Sequence, residues 1–184
     1  GGGVYWSGNS DNGAISDSNF TNNYATVWSG GGVCWEDTNG ILTDCIFISN
    51  QARTLGGGIY WNGINGTLID SIFINNTAND GGGVYWNAFN GYLSGSSFTG
   101  NSATNYGGGG IYWNYNNGRI TNSIFTNNSA THGGAIRWYA AGSMANCTFV
   151  NSKSEKLNGI YAQNNLTIYD GKGIVYILPQ TILT

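Results

Sequence analysis

Charge is scarce in this sequence: Asp, Glu, Lys and Arg make up 8% of its 184 residues, and the net charge is −3. The six Lys and Arg residues are scattered, so the chain offers no basic stripe for nucleic acid or anionic lipid. Helices would also lack their usual charged solvent face. We therefore expect strands and tight turns, and we expect neither nucleic acid nor a membrane as a partner.

Proline and long apolar runs are also nearly missing. The longest apolar run, residues 173–183, is too short to span a bilayer and contains the single proline, Pro179. The chain starts with Gly1 inside a repeat, so we expect an excised or processed segment whose targeting sequence lies upstream. The single histidine, His132, has no Ser or Cys nucleophile motif beside it, which favours a turn residue over a general base.

Glycine and aromatic residues, in contrast, are abundant. The chain has 31 Gly, 7 Trp, 12 Tyr and 7 Phe, and 40% of its residues are hydrophobic. This is far more large apolar surface than disordered chains carry, and it is enough for the core of one domain. We therefore expect the whole chain, residues 1–184, to fold as a single domain.

The chain is built from a repeat of 24 to 29 residues, which is typical of stacked β-solenoid coils. Each repeat opens with glycines and an aliphatic residue, and a Trp follows two positions later in the first six repeats. The aliphatic residues are Val4, Val33, Ile59, Val84, Ile111, Ile136 and Ile160, and the tryptophans are Trp6, Trp35, Trp61, Trp86, Trp113 and Trp138. A later Gly and a Phe stand seven residues apart in six repeats (Gly13 to Phe20 is the first), so this block is rigid and the junctions on either side are loops.

Strand alternation assigns faces to these positions. The aliphatic residue and Trp share one side, which we expect to be the core, and the residue between them points outward. The second block carries an aliphatic residue and a Phe five positions apart, and both face inward only if the chain turns between them. The position between them holds residues that tolerate a left-handed backbone: Asp17, Asp44, Asp70, Gly95, Asn122 and Asn146.

These patterns predict an all-β fold, a right-handed single-stranded parallel β-helix of about seven coils, with repeats over 1–158 and a degenerate closing coil over 159–184. Asparagines recur at the end of the Phe strand and are expected to bond to one another along the rod: Asn23, Asn50, Asn76, Asn101 and Asn128. Cys45 and Cys147 occupy one inward position four coils apart, so they cannot bridge each other and are expected to be buried thiols. Cys34 falls on the outward position.

The repeat resembles that of the chlamydial polymorphic membrane proteins, and archaeal and bacterial adhesin-like β-helix proteins share the pattern. The resemblance rests on "GGGV", "GGGI" and "GGAI" stretches paired with "FTNN", "FISN", "FINN" and "FTGN" stretches over about residues 1–158. The low charge and abundant Asn and Tyr are similar to adhesin-like surface proteins of methanogenic archaea. The resemblance implies a secreted or cell-surface adhesin without enzymatic activity, bound to host or neighbouring cells.

Five tyrosines on the outward position form the candidate binding face: Tyr5, Tyr60, Tyr85, Tyr112 and Tyr161. Aromatic faces spaced along a rod suit surface glycans or a partner protein, and the alternative is that Tyr simply favours strands. Asn75 and Asn127 lie in sequons within turns and are candidate glycosylation sites. No cofactor or metal is expected.

Two other functions are open at this point. Asp17, Asp44 and Asp70 recur in successive coils, which allows a carboxylate pair of a glycoside hydrolase or polysaccharide lyase, or a Ca²⁺ site. The alternative is that these residues only make the corner. An uncovered first coil would present unpaired backbone groups, and addition of the segment 174–184 from another copy would give head-to-tail filaments.

Overall fold

The computed structural model describes residues 1–8, 11–157, 159–169, 175–178 and 182–183. Over these residues the chain is all-β, and its strands stack as a parallel β-solenoid of about six turns. The predicted fold class is therefore confirmed, and the repeat length equals the length of one coil.

Each of the first six coils contributes four short strands, one to each of four sheets, and the seventh contributes two. The first two coils contain β1 (Val4–Trp6), β2 (Ala14–Ser16), β3 (Asn19–Thr21), β4 (Tyr24–Ala25), β5 (Val33–Trp35), β6 (Ile41–Thr43), β7 (Ile46–Ile48) and β8 (Gln51–Ala52). The next two contain β9 (Ile59–Trp61), β10 (Thr67–Ile69), β11 (Ile72–Ile74), β12 (Thr77–Asp80), β13 (Val84–Trp86), β14 (Tyr92–Ser94), β15 (Ser97–Thr99) and β16 (Ser102–Gly107). The remaining strands are β17 (Ile111–Trp113), β18 (Gly118–Thr121), β19 (Ile124–Thr126), β20 (Ser129–His132), β21 (Ile136–Trp138), β22 (Gly142–Ala145), β23 (Thr148–Val150), β24 (Lys153–Leu157), β25 (Ile160–Ala162), β26 (Leu166–Tyr169), β27 (Val175–Leu178) and β28 (Ile182–Leu183).

Four sheets run along the solenoid, and we name each by its inward residues. The Trp sheet has the order β1-β5-β9-β13-β17-β21-β25-β28, and the aliphatic sheet has the order β2-β6-β10-β14-β18-β22-β26-β27. The Phe sheet is β3-β7-β11-β15-β19-β23, and the Ala sheet is β4-β8-β12-β16-β20-β24. Every coil therefore visits the four sheets in the same order, and equivalent residues pair directly, as in Phe47 with Phe73.

The corners between the sheets depend on left-handed backbone. The predicted corner between the aliphatic and Phe sheets is confirmed, since Asp17, Asp44 and Asp70 have φ of 48°, 52° and 47°. Three further left-handed corners, represented by Asn39, Ser49 and Gly56 in consecutive parts of the chain, separate the other sheets. Asn, Asp and Gly tolerate this conformation best, which explains why they make up so much of the polar composition.

The core consists of vertical stacks of identical side chains. Trp86 and Trp113 stack with ring centroids 4.6 Å apart, and Phe73 and Phe98 do the same at 4.6 Å. These distances are close to the separation of neighbouring strands, so each ring lies directly above its equivalent. The tryptophans from Trp35 to Trp138 are fully buried, which confirms that the Trp side of β5 and its equivalents faces the core.

A buried asparagine ladder runs beside the Phe sheet, as the sequence predicts. The Nδ2 group of Asn76 donates to Oδ1 of Asn101 at 2.9 Å and to the carbonyl of Phe47 at 2.9 Å. The same Oδ1 of Asn101 also accepts from the backbone N–H of Asn76 at 3.0 Å. Each interior amide is thus satisfied by its neighbours, so this polar column costs little inside the fold.

Two features differ from expectation. The Ala sheet lies where the sequence predicts only a loop, and its inward Ala52 and Ala78 are buried. The C-terminal strands β27 and β28 run antiparallel to β26 and β25 of the same chain. The described residues of the segment expected to add to another copy, 175–178 and 182–183, are therefore paired within their own chain.

Candidate functional site

The outward positions of the Trp sheet form one column along the solenoid. The register aligns Tyr5, Cys34, Tyr60, Tyr85, Tyr112, Arg137 and Tyr161. The structure therefore brings together all five tyrosines that the sequence singles out. Their exposure is very unequal, however, and this separates the column into two parts.

The upper part of the column, which begins at Tyr60 and continues through Tyr85 and Tyr112, is closely packed. The rings of Tyr60 and Tyr85 lie 5.9 Å apart, and those of Tyr85 and Tyr112 lie 4.7 Å apart, both in stacked geometry. Tyr112 is only 8% exposed. Burial raises the pKa of the Tyr60, Tyr85 and Tyr112 phenols, so these groups are neutral at physiological pH. The expectation of an evenly accessible Tyr face is thus wrong at Tyr112, whose side chain has packing partners above and below.

Arg137 continues the column above Tyr112. Its guanidinium carbon lies 4.9 Å from the Tyr112 ring centroid, 5.7 Å from that of Tyr106 and 5.7 Å from that of Tyr161. Nε and Nη1 of Arg137 are buried without a hydrogen-bond partner, so the three rings are its main environment. The charge is tolerated because aromatic faces attract cations.

Asp80 lies beside this upper part and is buried. Its Oδ1 accepts hydrogen bonds from the backbone N–H groups of Tyr106 at 2.9 Å and Gly107 at 3.0 Å. Desolvation nevertheless raises the pKa of the Asp80 carboxyl, while these two bonds and the positive charge of Arg137 oppose that rise. The carboxyl thus fixes the end of β16, which brings Tyr106 over Arg137.

The lower part of the column is interrupted at Cys34. A small side chain stands there between Tyr5 and Tyr60, so the stack of rings has a gap one coil high. Cys34 is 4% exposed, which corrects the expectation of an exposed outward position, and burial raises the pKa of its thiol. The gap forms a groove of about 950 Å³ with Cys34 at its base.

Two loops wall the groove on its sides. Val27, Trp28 and Ser29 come from the first coil, and Thr54 and Leu55 from the second. Trp28 is 77% exposed and Tyr5 is 60% exposed, so two large aromatic faces meet the solvent here. The spacing of the repeats gives Trp28 no role, although one signal points to it. It is a Trp outside the repeat position, two residues before the corner glycine Gly30, where no other coil has one.

The polar groups of the groove are a carboxylate and hydroxyls. The Tyr5 hydroxyl donates to Oε2 of Glu36 at 2.8 Å, and the Ser29 and Thr54 hydroxyls lie 3.1 Å apart. Across the groove, Nδ2 of Asn87 donates to the Tyr60 hydroxyl at 3.1 Å. Among the described residues that line the groove there is no Lys or Arg, but Gly1 is one of them and its amino group is hydrogen-bonded to the Cys34 thiol. The arrangement combines flat aromatic surface with hydrogen-bonding groups and charges of both signs.

Comparison with known families assigns the repeat. The model of the Chlamydia polymorphic membrane protein repeat matches residues 44–60, 70–85 and 122–137. Each matched segment starts at the corner before the Phe strand and ends on the following strand of the Trp sheet. Three segments of this chain are thus similar to the polymorphic membrane protein repeat. No curated protein and no solved structure matches the chain significantly.

The segments that match the polymorphic membrane protein repeat consist largely of structural positions in this chain. The matched segments include the left-handed corner, the buried Phe, the ladder asparagine and the glycines beside the Trp sheet. The groove residues Tyr5, Trp28 and Glu36 lie outside all three segments. The family match therefore supports the scaffold and suggests a surface-exposed protein, while part of the groove, at Thr54, Leu55 and Tyr60, lies inside the matched segment 44–60.

The acidic corner residues of the repeats do not form a site with the groove. Asp17, Asp44 and Asp70 are exposed, occupy equivalent corners and are not among the residues lining it. In the described part of the chain, no three His, Cys, Asp or Glu side chains are grouped closely enough to hold a metal ion. Their left-handed φ values are sufficient to explain why these residues recur.

The sequon asparagines lie at corners of the repeat. The remaining cysteines, Cys45 and Cys147, occupy an inward position. Asn75 and Asn127 are exposed and both have φ of 54°. Cys45 and Cys147 are both free thiols, as predicted, and Cys45 is buried as expected, whereas Cys147 is only half-buried. Burial raises the pKa of the Cys147 thiol to about 11.

The described residues include no helix with the length and hydropathy that crossing a membrane requires.

Proposed function

We propose that this protein is a non-enzymatic, adhesin-like module at the cell surface, and that its solenoid holds a binding surface for glycans or partner cells. The observation that carries the proposal is the pairing of polymorphic membrane protein repeats with an exposed aromatic groove that the repeat itself does not require. The repeats suggest surface exposure, and the groove supplies the kind of surface that recognition uses.

The electrostatics of the column also favour binding over catalysis. General acid–base catalysis needs a titratable group positioned to exchange protons with a substrate. The perturbed groups here are Asp80, which is held by backbone N–H groups, and phenols and thiols whose pKa values are raised by burial. We accordingly expect no cleavage of any substrate in a panel of polysaccharides.

Surface labelling of intact source cells and adhesion of the purified chain test this function. Antibodies against the solenoid should label unpermeabilised cells, and beads coated with the chain should adhere to host or neighbouring cells. Labelling only after permeabilisation, or beads that adhere no better than albumin-coated beads, would reject the proposal. Release of reducing ends or unsaturated products from the polysaccharide panel would replace it with the enzymatic alternative.

A further inference from the structure

We propose that the loops between the Trp sheet and the aliphatic sheet bind a neutral, linear glycan that lies along the solenoid axis. These loops are residues 62–66, 87–91, 114–117 and 139–141 in the third to sixth coils, and we call them the amide rim. The inference rests on the proposed function, because it names a ligand class and a binding position on the same solenoid. It is carried by ladders of exposed amides, by the apolar side chains between them, and by the lack of charge in the four loops.

Two ladders of side-chain amides run along the amide rim. The first joins three residues at 2.8 Å each: Asn62, Asn87 and Asn114. The second joins four residues at 3.0 to 3.1 Å: Asn39, Asn65, Asn90 and Asn117. An amide has two N–H donors and an oxygen that accepts two bonds, and the second ladder uses one donor and one acceptor of Asn65 and of Asn90. Both residues are exposed, so each presents a further donor and a further acceptor to the solvent.

The amides of the second ladder are held in place before any ligand arrives. The backbone N–H of Asn65 donates to the carbonyl of Phe89 at 3.1 Å, and that of Asn90 donates to the carbonyl of Asn116 at 3.2 Å. Asn65 and Asn90 also share a left-handed φ of 58°. Because main chain and side chain are both fixed by the neighbouring coils, binding costs little conformational entropy.

Each loop of the third to fifth coils carries an exposed apolar side chain between its two ladder positions. These side chains are Ile64, Phe89 and Tyr115, with exposed fractions of 43%, 41% and 37%, and Tyr139 continues the line at 41%. The rings of Phe89 and Tyr115 meet edge to face, with centroids 4.6 Å apart. The C–H face of a pyranose is flat and weakly apolar, so it packs on such side chains while its hydroxyls reach the amides on either side.

The repeat of the amide rim sets the orientation of the ligand. Successive coils are one strand spacing apart, about 4.8 Å. This is close to the length of one hexose residue in an extended β-1,4-linked chain. A glycan along the axis therefore meets an equivalent set of groups at each sugar, and the four coils of the rim accommodate about four sugars.

The charge distribution selects a neutral ligand. Asp, Glu, Lys and Arg are absent from the four loops. The equivalent loop of the second coil carries Glu36 and Asp37, so the nearest charges along the ladder direction are negative. Arg119 belongs to the following strand, where its guanidinium lies over the Tyr92 ring at 5.9 Å. Sulfated and uronic-acid polymers thus gain no cation within the rim and are repelled at one end.

The amide rim is also distinct from the repeat that the family model describes. The loops 62–66, 87–91, 114–117 and 139–141 lie outside all three matched segments. Their exposed amides are not needed to satisfy buried groups, unlike the buried ladder of Asn76 and Asn101. The rim is therefore a surface that can serve recognition without altering the core.

Isothermal titration calorimetry with the full chain tests the ligand class and its orientation. The probes are β-1,4-linked oligomers of glucose, mannose and N-acetylglucosamine, each with two to six sugars. At least one series should bind, and its affinity should rise about tenfold from dimer to tetramer and change little from tetramer to hexamer, because the rim ends after four coils. Heparin and polygalacturonate at the same mass concentration should not bind.

An aromatic substitution and its control locate the site. Phe89→Ala removes an exposed ring from the middle of the rim and should weaken tetramer binding about tenfold or more. Trp28→Ala removes a larger and more exposed ring outside the rim and should bind as the unmodified chain does. Both side chains are exposed, so circular dichroism should show the same fold in the two variants.

An amide substitution has its own matched control. Asn90→Gly removes one ladder amide but keeps a residue suited to the left-handed corner, and it should weaken tetramer binding. Asn75→Gly makes the same change at an exposed left-handed corner outside the rim, where the next coil already has Gly100. This control should bind the tetramer normally.

Each other outcome overturns the inference. Failure of every neutral series, normal binding by Phe89→Ala, or binding of heparin alone would reject a neutral glycan on the amide rim. Loss of binding in Trp28→Ala but not in Phe89→Ala would place the sugar elsewhere. Self-association in sedimentation velocity that Phe89→Ala abolishes would show that a second copy occupies the rim. If no glycan binds while beads coated with the chain still adhere to cells, this inference fails and the adhesin function stands; if the beads also fail to adhere, both are rejected.

Discussion

The guanidinium carbon of Arg137 lies 4.9 Å from the ring centroid of Tyr112, at a column position where most coils place a tyrosine. The cation thus takes the place of a ring in the stack. It is held between Tyr112 and Tyr161 and covered by Tyr106. Asp80 fixes the end of β16, which carries Tyr106, so a single packed unit links residues of five successive coils.

Removal of the Arg137 side chain should destabilise this unit. Arg137→Ala loses contacts with three rings, and we expect the free energy of unfolding to fall by about 2 kcal/mol. Arg137→Tyr should stay within about 1 kcal/mol of the original, because it restores the stack and removes two buried nitrogens without partners. Urea denaturation followed by circular dichroism measures both. Equal losses in the two variants would show that the charge itself stabilises the unit.

The buried asparagine ladder should depend on each interior member. Asn101→Ala leaves two donors of Asn76 and the carbonyl of Phe73 without their partners, so we expect a loss of about 3 kcal/mol. Asn79→Ala is the control, because Asn79 is exposed and its side chain only accepts from Thr104. That control should change stability by less than about 0.5 kcal/mol. Similar losses from the two variants would contradict the ladder's role.

The ladder should also be extendable by one member. Ser152 follows Asn128 in the sixth coil, and its hydroxyl is buried without a hydrogen-bond partner. An amide at this position would accept from Asn128, so Ser152→Asn should raise the free energy of unfolding by about 1 kcal/mol. That gain corresponds to roughly 2–4 °C in a thermal melt. Ser152→Ala separates the two causes, since it removes the orphan hydroxyl alone, and an equal gain there would show that the ladder is not extended.

The left-handed corners at Gly56 and Gly100 should respond differently to the same substitution. Gly56 and Gly100 both have φ of 66°. A Cβ at Gly56 would meet the carbonyl oxygen of Ile59, whereas one at Gly100 meets only the end of the Asn75 side chain. Gly56→Asn should therefore cost more than about 3 kcal/mol, and Gly100→Asn should cost less than about 1 kcal/mol. Expression yield and melting temperature compare them, and equal melting temperatures would contradict the steric argument.

Asp80 should make stability depend on pH in a known direction. The pKa of the Asp80 carboxyl is raised in the folded state, so its contribution to the free energy of unfolding is fully present below the unfolded pKa near 3.8. That contribution is lost as the pH rises through the folded pKa. Asp80→Asn retains an acceptor for the N–H groups of Tyr106 and Gly107 but cannot ionise. Relative to this variant, the original chain should lose stability as the pH rises from 4 to 7. Parallel denaturation curves at these two pH values measure the difference, and a difference of opposite sign would contradict the assignment.

Much of the scaffold was predictable because the same residue pattern recurs in six repeats. The burial of Trp86, the left-handed corner at Asp44 and the bond between Asn76 and Asn101 all follow from the spacing of recurring residues. The Ala sheet was missed because its strands have two to six residues and its inward residue is only a methyl group, as at Ala52. Such a short pattern has little hydrophobic periodicity to detect.

The candidate site was less predictable because it depends on features that do not repeat. Tyr112 and Tyr60 share one column position, yet Tyr112 is buried under a longer strand of the Ala sheet that carries Tyr106. Trp28 belongs to no repeat position, so the comparison of coils gave it no role. The column itself was correctly aligned, but its accessibility is decided by the lengths of the neighbouring loops, which sequence spacing alone does not fix.

The parallel stacking of nearly equivalent coils also has an evolutionary consequence. A coil contacts chiefly the coils directly above and below it, so duplication of one interior repeat adds one further interface of a kind already present. A duplication between the second coil and the antiparallel strands β27 and β28 would lengthen the rod by one strand spacing and leave Tyr5, Trp28 and Glu36 untouched. The length of the rod can thus change through the number of repeats while the side chains of its first two coils stay the same.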